Sequence, residues 1–134
     1  MKKLVSATAA LLLATAGTAL AGDQYDIAVQ KPSAQVNVRA VAKVSVLPKG
    51  GFHVNTEYPV KLTLTAPSGV TLEKQKQVKE DAKRFEKAGL DFEVGFTAAA
   101  SGKQSFTGEL RFAVCTDTEC KPTTEKIAFD VDVK

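Results

Sequence analysis

A period-two alternation of apolar and polar residues recurs along this chain and restricts its fold more than any other feature. Val36, Val38, Ala40, Ala42, Val44 and Val46 share one face of an extended segment, as do Tyr58, Val60, Leu62 and Leu64. Leu90, Phe92, Val94 and Phe96 alternate with Asp91, Glu93 and Gly95. Phe106, Gly108, Leu110, Phe112 and Val114 follow, and Ile127, Phe129, Val131 and Val133 close the chain. Successive side chains of a strand point to opposite faces, so each segment has one face for a core and one for water. Turn chemistry separates the segments, at Leu47-Pro48-Lys49-Gly50-Gly51, Ala66-Pro67-Ser68-Gly69 and Ser101-Gly102-Lys103. Phe52–Asn55 and Val70–Leu72 read as short extended pieces between them. Six or seven half-buried strands at this spacing predict an all-β sandwich.

The segment 73–88 fits the pattern least well. A helix over Gln75–Phe85 has only Val78, Ala82 and Phe85 as an apolar stripe. A strand with an exposed charged turn ending at Ala88-Gly89 agrees better with the β elements on either side. The high charge of this segment reads as a solvated face rather than a docking surface.

The amino terminus reads differently. Met1-Lys2-Lys3 precedes an apolar stretch to Leu20 and a small-residue Ala19-Leu20-Ala21 site, the pattern of a secretory signal peptide spanning 1–21 with cleavage near Ala21. Ser6, Thr8, Thr15, Gly17 and Thr18 dilute the stretch, which argues against a stable membrane anchor. The expected location is the periplasm or the exterior. Residues 22–35 then form a polar amino-terminal arm with a short edge strand at Tyr25–Val29, and 36–134 form one sandwich domain. The formal charge of +3 includes Lys2 and Lys3. Removing them leaves about +1, which gives no electrostatic case for nucleic acid or an anionic membrane.

Cys115 and Cys120 are the only cysteines. Cys115 ends one strong strand and Cys120 precedes the last, so they flank the loop of a β-hairpin. Cross-strand neighbours at that separation can form a disulfide, and an oxidising compartment favours it. Such a bond closes a very short loop and stabilises by about 2 kcal/mol in the chain-entropy model, against nearly 5 for a hundred-residue loop. Accessible disulfides are often the labile or catalytic ones. Residue chemistry leaves both readings open: a redox pair, or a hairpin staple in a non-enzymatic module that binds a protein partner. Asp117 and Glu119 disfavour a thiolate and Lys121 favours one. Two thiols and His53, the single histidine, fall short of a zinc ligand set. No cofactor is expected, since no Ser–His–Asp set, phosphate loop or carboxylate pair has a telling spacing. A small-ligand carrier has no motif behind it.

The run Phe112-Ala113-Val114-Cys115-Thr116-Asp117-Thr118-Glu119-Cys120-Lys121-Pro122 resembles the amino-terminal periplasmic domains of the DsbD thiol:disulfide interchange family. That pattern is an aromatic-ended strand, a cysteine, a short polar loop with Asp, a second cysteine, and a proline two residues on. Pro48-Lys49-Gly50-Gly51-Phe52-His53-Val54-Asn55, followed by Tyr58-Pro59, is similar to the family's glycine–aromatic–histidine segment. The resemblance spans Val36–Lys134 and corresponds to that domain standing alone. It departs at Lys121-Pro122-Thr123, where relatives often carry a bulky apolar residue and two prolines. It implies an immunoglobulin-like antiparallel β-sandwich. It also implies that Cys115 and Cys120 are a redox pair exchanging electrons with periplasmic thioredoxin-like thiol–disulfide proteins. One cysteine would form the mixed disulfide and the other would resolve it, with Cys120 expected exposed and Cys115 buried. His53 matches a family position without a derived role and otherwise reads as a polar residue at a strand edge.

Overall fold

Alternating segments bury their apolar faces only by packing two sheets together, and the chain does this. The computed structural model describes residues 19–134. The expected signal peptide falls on 1–21, so 1–18 lie outside the described residues. Ala19–Ala21 forms β1, antiparallel to β2 (Tyr25–Gln30). The first sheet runs β1, β2, β3 (Ala40–Pro48), β9 (Gly89–Ala98) and β6 (Val70–Leu72), with β8 (Arg84–Glu86) also on β9. The second runs β11 (Cys120–Val133), β10 (Gly102–Cys115), β5 (Lys61–Thr65) and β7 (Lys76–Val78), with β4 (His53–Val54) also on β10. Every pairing between these strands is antiparallel.

With β2, β3, β9 and β6 taken as A, B, E and D, and β5, β10 and β11 as C, F and G, the strand order is that of an immunoglobulin-like sandwich. The apolar faces meet between the sheets. Phe92, Phe96, Phe106 and Phe112 are fully buried, with Leu62, Leu90, Leu110 and Val44 among them. Phe106 packs edge-on to Phe96 with ring centroids 5.0 Å apart and stacks on Phe129 at 4.9 Å. Offset and edge-to-face ring pairs add to the burial term itself.

Three expectations change. The sandwich begins at Tyr25 rather than at residue 36: Ile27 and Val29 of β2 are core residues, and Ala34 bridges to Val133. The strand expected at Tyr25–Val29 is therefore part of the sandwich, with Tyr25, Ile27 and Val29 on its inner side, and not a piece of a polar arm. Val36–Arg39 are not strand, although Val36 and Val38 continue the alternation of β3. Asn37 takes φ +62°, a left-handed conformation that Asn tolerates, and the resulting turn leaves Val38 exposed. Tyr58-Pro59 likewise lie outside β5, which starts at Lys61.

Segment 73–88 contains no α-helix. It holds β7, a single 3-10 turn (Lys79–Asp81) and β8, and the two strands belong to opposite sheets. The detour to β7 splits the edge partner of β9 into β6 and β8. The carbonyls of β9 left between them are still satisfied. Glu73 N–H donates to Gly95 at 2.9 Å, the Gln77 side-chain amide to Glu93 at 2.8 Å, and Lys83 N–H to Asp91 at 2.8 Å. Gln77 is buried for this reason, standing in for a missing strand residue. Among the described residues no buried side-chain polar atom lacks a partner.

Candidate functional site

The longest ladder in the molecule positions the cysteines. β10 and β11 pair in unbroken register from Gly102↔Val133 to Cys115↔Cys120. Beyond it, Thr116 N–H donates to the Glu119 carbonyl at 2.8 Å. Thr116/Glu119 is therefore a hydrogen-bonded pair and Cys115/Cys120 a non-hydrogen-bonded one, the closer kind of cross-strand pair. Their α-carbons are 4.0 Å apart and the sulfurs are bonded. The Thr116 hydroxyl accepts from the N–H groups of Thr118 and Glu119, which fixes the short loop.

Leu110, Phe112 and Val114 point into the core, so Arg111, Ala113 and Cys115 stand on the outer face of the second sheet. Cys120, opposite Cys115, is on that face too and is exposed. Cys115 is only 4 % exposed despite facing outward. The segment after β4 explains this. β4 pairs on the other edge of β10, with Val54 opposite Val114 and His53 opposite Cys115. Asn55 N–H donates to the Ala113 carbonyl at 2.9 Å. The Asn55 side chain then reaches across β10, and its Nδ2 donates to the Cys120 sulfur at 3.9 Å. Its Oδ1 accepts from Glu57 N–H at 2.9 Å, so both ends of the amide are occupied. Cys115 lies beneath this bridge.

His53 stands directly opposite Cys115. Side chains of such a pair share a face, with β-carbons about 4.5–5.5 Å apart. The structure thus brings a histidine to the buried sulfur across more than sixty positions of sequence. Lys121 is placed otherwise than its sequence position suggested. Its ammonium lies 5.6 Å from the Phe52 ring centre and 3.9 Å from Glu119, on the core side of the hairpin end. The sequence assigns Asn55 no role beyond the end of a short extended piece. The signal for it was Asn55-Thr56-Glu57, an Asx turn at the end of a short extended piece. Nothing local, however, ties that turn to a sulfur 65 positions away.

Tyr25 closes the same end of the sandwich from the first sheet. Its ring meets Phe112 edge-on at 4.9 Å and its hydroxyl donates to the Glu125 carboxylate. Burial, together with the neighbouring carboxylate, pushes the Tyr25 hydroxyl up to about 12. Among the described residues, no group of three or more His, Cys, Asp or Glu could hold a metal.

The fold and site define an immunoglobulin-like β-sandwich with a half-exposed disulfide at a hairpin neck. No family model matches the chain, and no curated protein does. Among solved structures it is similar to AggA, the major subunit of aggregative adherence fimbriae type I from Escherichia coli. That likeness has 9% identity over 82% of this chain and 94% of the other, with a TM-score of 0.42. A PapD-like domain of human CEP192 is similar at 7% identity over 86% and 88%, TM-score 0.41. Domains 4 and 5 of the S-layer protein SbsC are similar at 15% identity over 87% and 53%, TM-score 0.40. The fold assignment rests on the strand pairing.

Proposed function

We propose that this protein is an exported thiol–disulfide exchange partner that works through Cys115 and Cys120, as its resemblance to the DsbD amino-terminal domains implies. The supporting observation is the asymmetry of the disulfide: one sulfur is exposed and hydrogen-bonded by Asn55, the other buried beside His53. A partner thiolate can reach only the Cys120 sulfur. Its attack forms a partner–Cys120 disulfide, breaks the Cys115–Cys120 bond, and releases Cys115 as a thiolate that takes up a proton. A second partner thiol then attacks the mixed disulfide and releases Cys120. The partner leaves oxidised by two electrons, and this chain holds two thiols. In the reverse direction Cys120 is the nucleophile, with the side-chain amide of Asn55 donating to its sulfur. Cleavage near Ala21 would remove β1 and leave β2 as the sheet edge.

The same geometry gives a staple little to do, since the ladder up to the cysteines is continuous and closing so short a loop is worth about 2 kcal/mol. The test is the reduction potential of the pair against a glutathione buffer. Exchange predicts a value above about −300 mV, and a lower value marks a structural bond and ends the proposal.

A further inference from the structure

The outer face that carries the disulfide also carries a cluster of cations. Lys61 of β5 pairs with Arg111 of β10, Lys76 of β7 with Thr63, and Lys126 of β11 with Glu109. Their places in the alternation put all four cations on the outer face around one carboxylate, Glu109. None of the four forms an ion pair among the described residues, whereas seven other pairs do form. Lys61, Arg111 and Glu109 line an open groove of about 560 Å³ with the hydroxyls of Thr63 and Thr124. Gly108 forms part of its floor.

Arg111 precedes Cys115 by four residues on the same strand and the same face, about 14 Å at the rise of a β-strand. Only Ala113 and Pro122 lie between, and neither is charged. The hairpin loop itself is acidic, with Asp117 and Glu119. A molecule whose sulfur sits on Cys120 therefore meets negative charge beside its thiol and positive charge about 14 Å along β10.

We infer that this groove is the docking site for an acidic segment of the thiol-bearing partner, lying about four extended residues from the partner's attacking cysteine. Four extended residues span about 13–14 Å, which matches the separation of Arg111 from the disulfide. This inference rests on the exchange reading. The contact supplies attraction and register for the encounter and takes no part in the sulfur chemistry, so it acts on the association rate and fades with salt.

The test uses two synthetic single-cysteine peptides that differ only at three positions centred four residues from the cysteine, Asp-Glu-Asp in one and Lys-Lys-Lys in the other. Each thiolate attacks Cys120 and releases the Cys115 thiolate, which iodoacetamide traps. The rate of the trapped adduct is followed by mass spectrometry, relative to the rate of reduction by dithiothreitol in the same variant. At low salt the acidic peptide should react at least about tenfold faster than the lysine peptide, and the two should converge near half-molar salt. Lys61→Glu with Arg111→Glu should invert the preference, and Lys61→Gln with Arg111→Gln should abolish it. Lys103→Glu with Lys134→Glu, an equal charge change elsewhere, should leave it. Equal peptide rates, a preference unchanged in the Lys61/Arg111 variants, or one lost equally in the Lys103/Lys134 variant overturns the docking site. A disulfide that dithiothreitol fails to reduce overturns the exchange reading beneath it.

Discussion

On the outer face of the first sheet, Asp91 collects Arg84 in a two-pronged contact, 2.9 and 3.3 Å, with Lys43 at 3.6 Å. Nearby, Glu73 collects Arg39. On the outer face of the second sheet, Lys61, Lys76, Arg111 and Lys126 surround Glu109 without an ion pair among the described residues. The difference follows from what each sheet needs. β6 and β8 are three-residue strands on the edge of β9, too short to hold by backbone pairing alone. Arg84 and Glu73 supply cross-links there, and each lies over a glycine. A β-carbon at Gly89 would meet the Arg84 guanidinium, and one at Gly95 the Glu73 carboxylate. In the second sheet the fourteen-residue β10 and β11 zip together along their whole length. Pairing on that face does not depend on its charges.

The sharpest way to break this comparison is at Asp91. Burial alone would raise its pKa, but hydrogen bonds from Ser45 and Arg84 and the charges of Arg84 and Lys43 outweigh it and hold the carboxyl below its ordinary value. Asp91→Ala should cost about 3 kcal/mol in denaturant unfolding, since it leaves a half-buried guanidinium without its partner. A depressed folded pKa contributes stability that is present above the unfolded value, about 3.9, and lost as pH falls through the folded one. The gap between the natural protein and Asp91→Asn should therefore be full at pH 7 and narrow below about pH 4. A gap independent of pH would show that the ion pairs of this face are not structural.

Next in size is the disulfide. Cys115→Ser with Cys120→Ser should lose about 2 kcal/mol and stay folded, because the ladder beneath it is intact. A loss of 4 kcal/mol or more would make the bond a structural necessity. Tyr25→Phe, at the junction of the two sheets, should cost about 1 kcal/mol by leaving Glu125 without its donor. Tyr25 ionises in the folded state near 12, above its unfolded value. Its contribution is therefore full below about pH 10 and lost as pH rises toward 12. Ultraviolet titration of the natural protein minus Tyr25→Phe would show that late step. Lys61→Ala and Arg111→Ala should change stability least, by less than about 0.5 kcal/mol each. A larger loss from either would mean that the second face also uses its cations to hold the sheet.

Much of the sandwich was legible because period-two alternation is a direct record of which face is buried. Leu90–Phe96, Phe106–Val114 and Ile127–Val133 all became strands with the expected side inward. The alternation failed at Val36 and Val38, where Asn37 turns the chain; at Tyr25–Val29 it marked a strand, without showing that this strand pairs with β3 inside the sandwich. The cysteine pair was legible because its contact is local, five residues apart across one hairpin. His53, Asn55 and the cation groove were not, because alternation assigns a strand its faces and leaves its neighbours open. Segment 73–88 shows the same limit, since nothing in its composition says that β7 and β8 must join opposite sheets.

By itself, then, the sequence determined an all-β chain with strands of known polarity and a hairpin that can close a disulfide. Local rules suffice for that: side-chain period, turn residues and the short reach between Cys115 and Cys120. The tertiary structure alone decided that β4 docks beside Cys115, that Asn55 bridges to Cys120, and that four cations from four strands gather around Glu109 on the face that carries the disulfide. Those contacts join residues far apart in sequence, and only the order and register of strands within a sheet can bring them together.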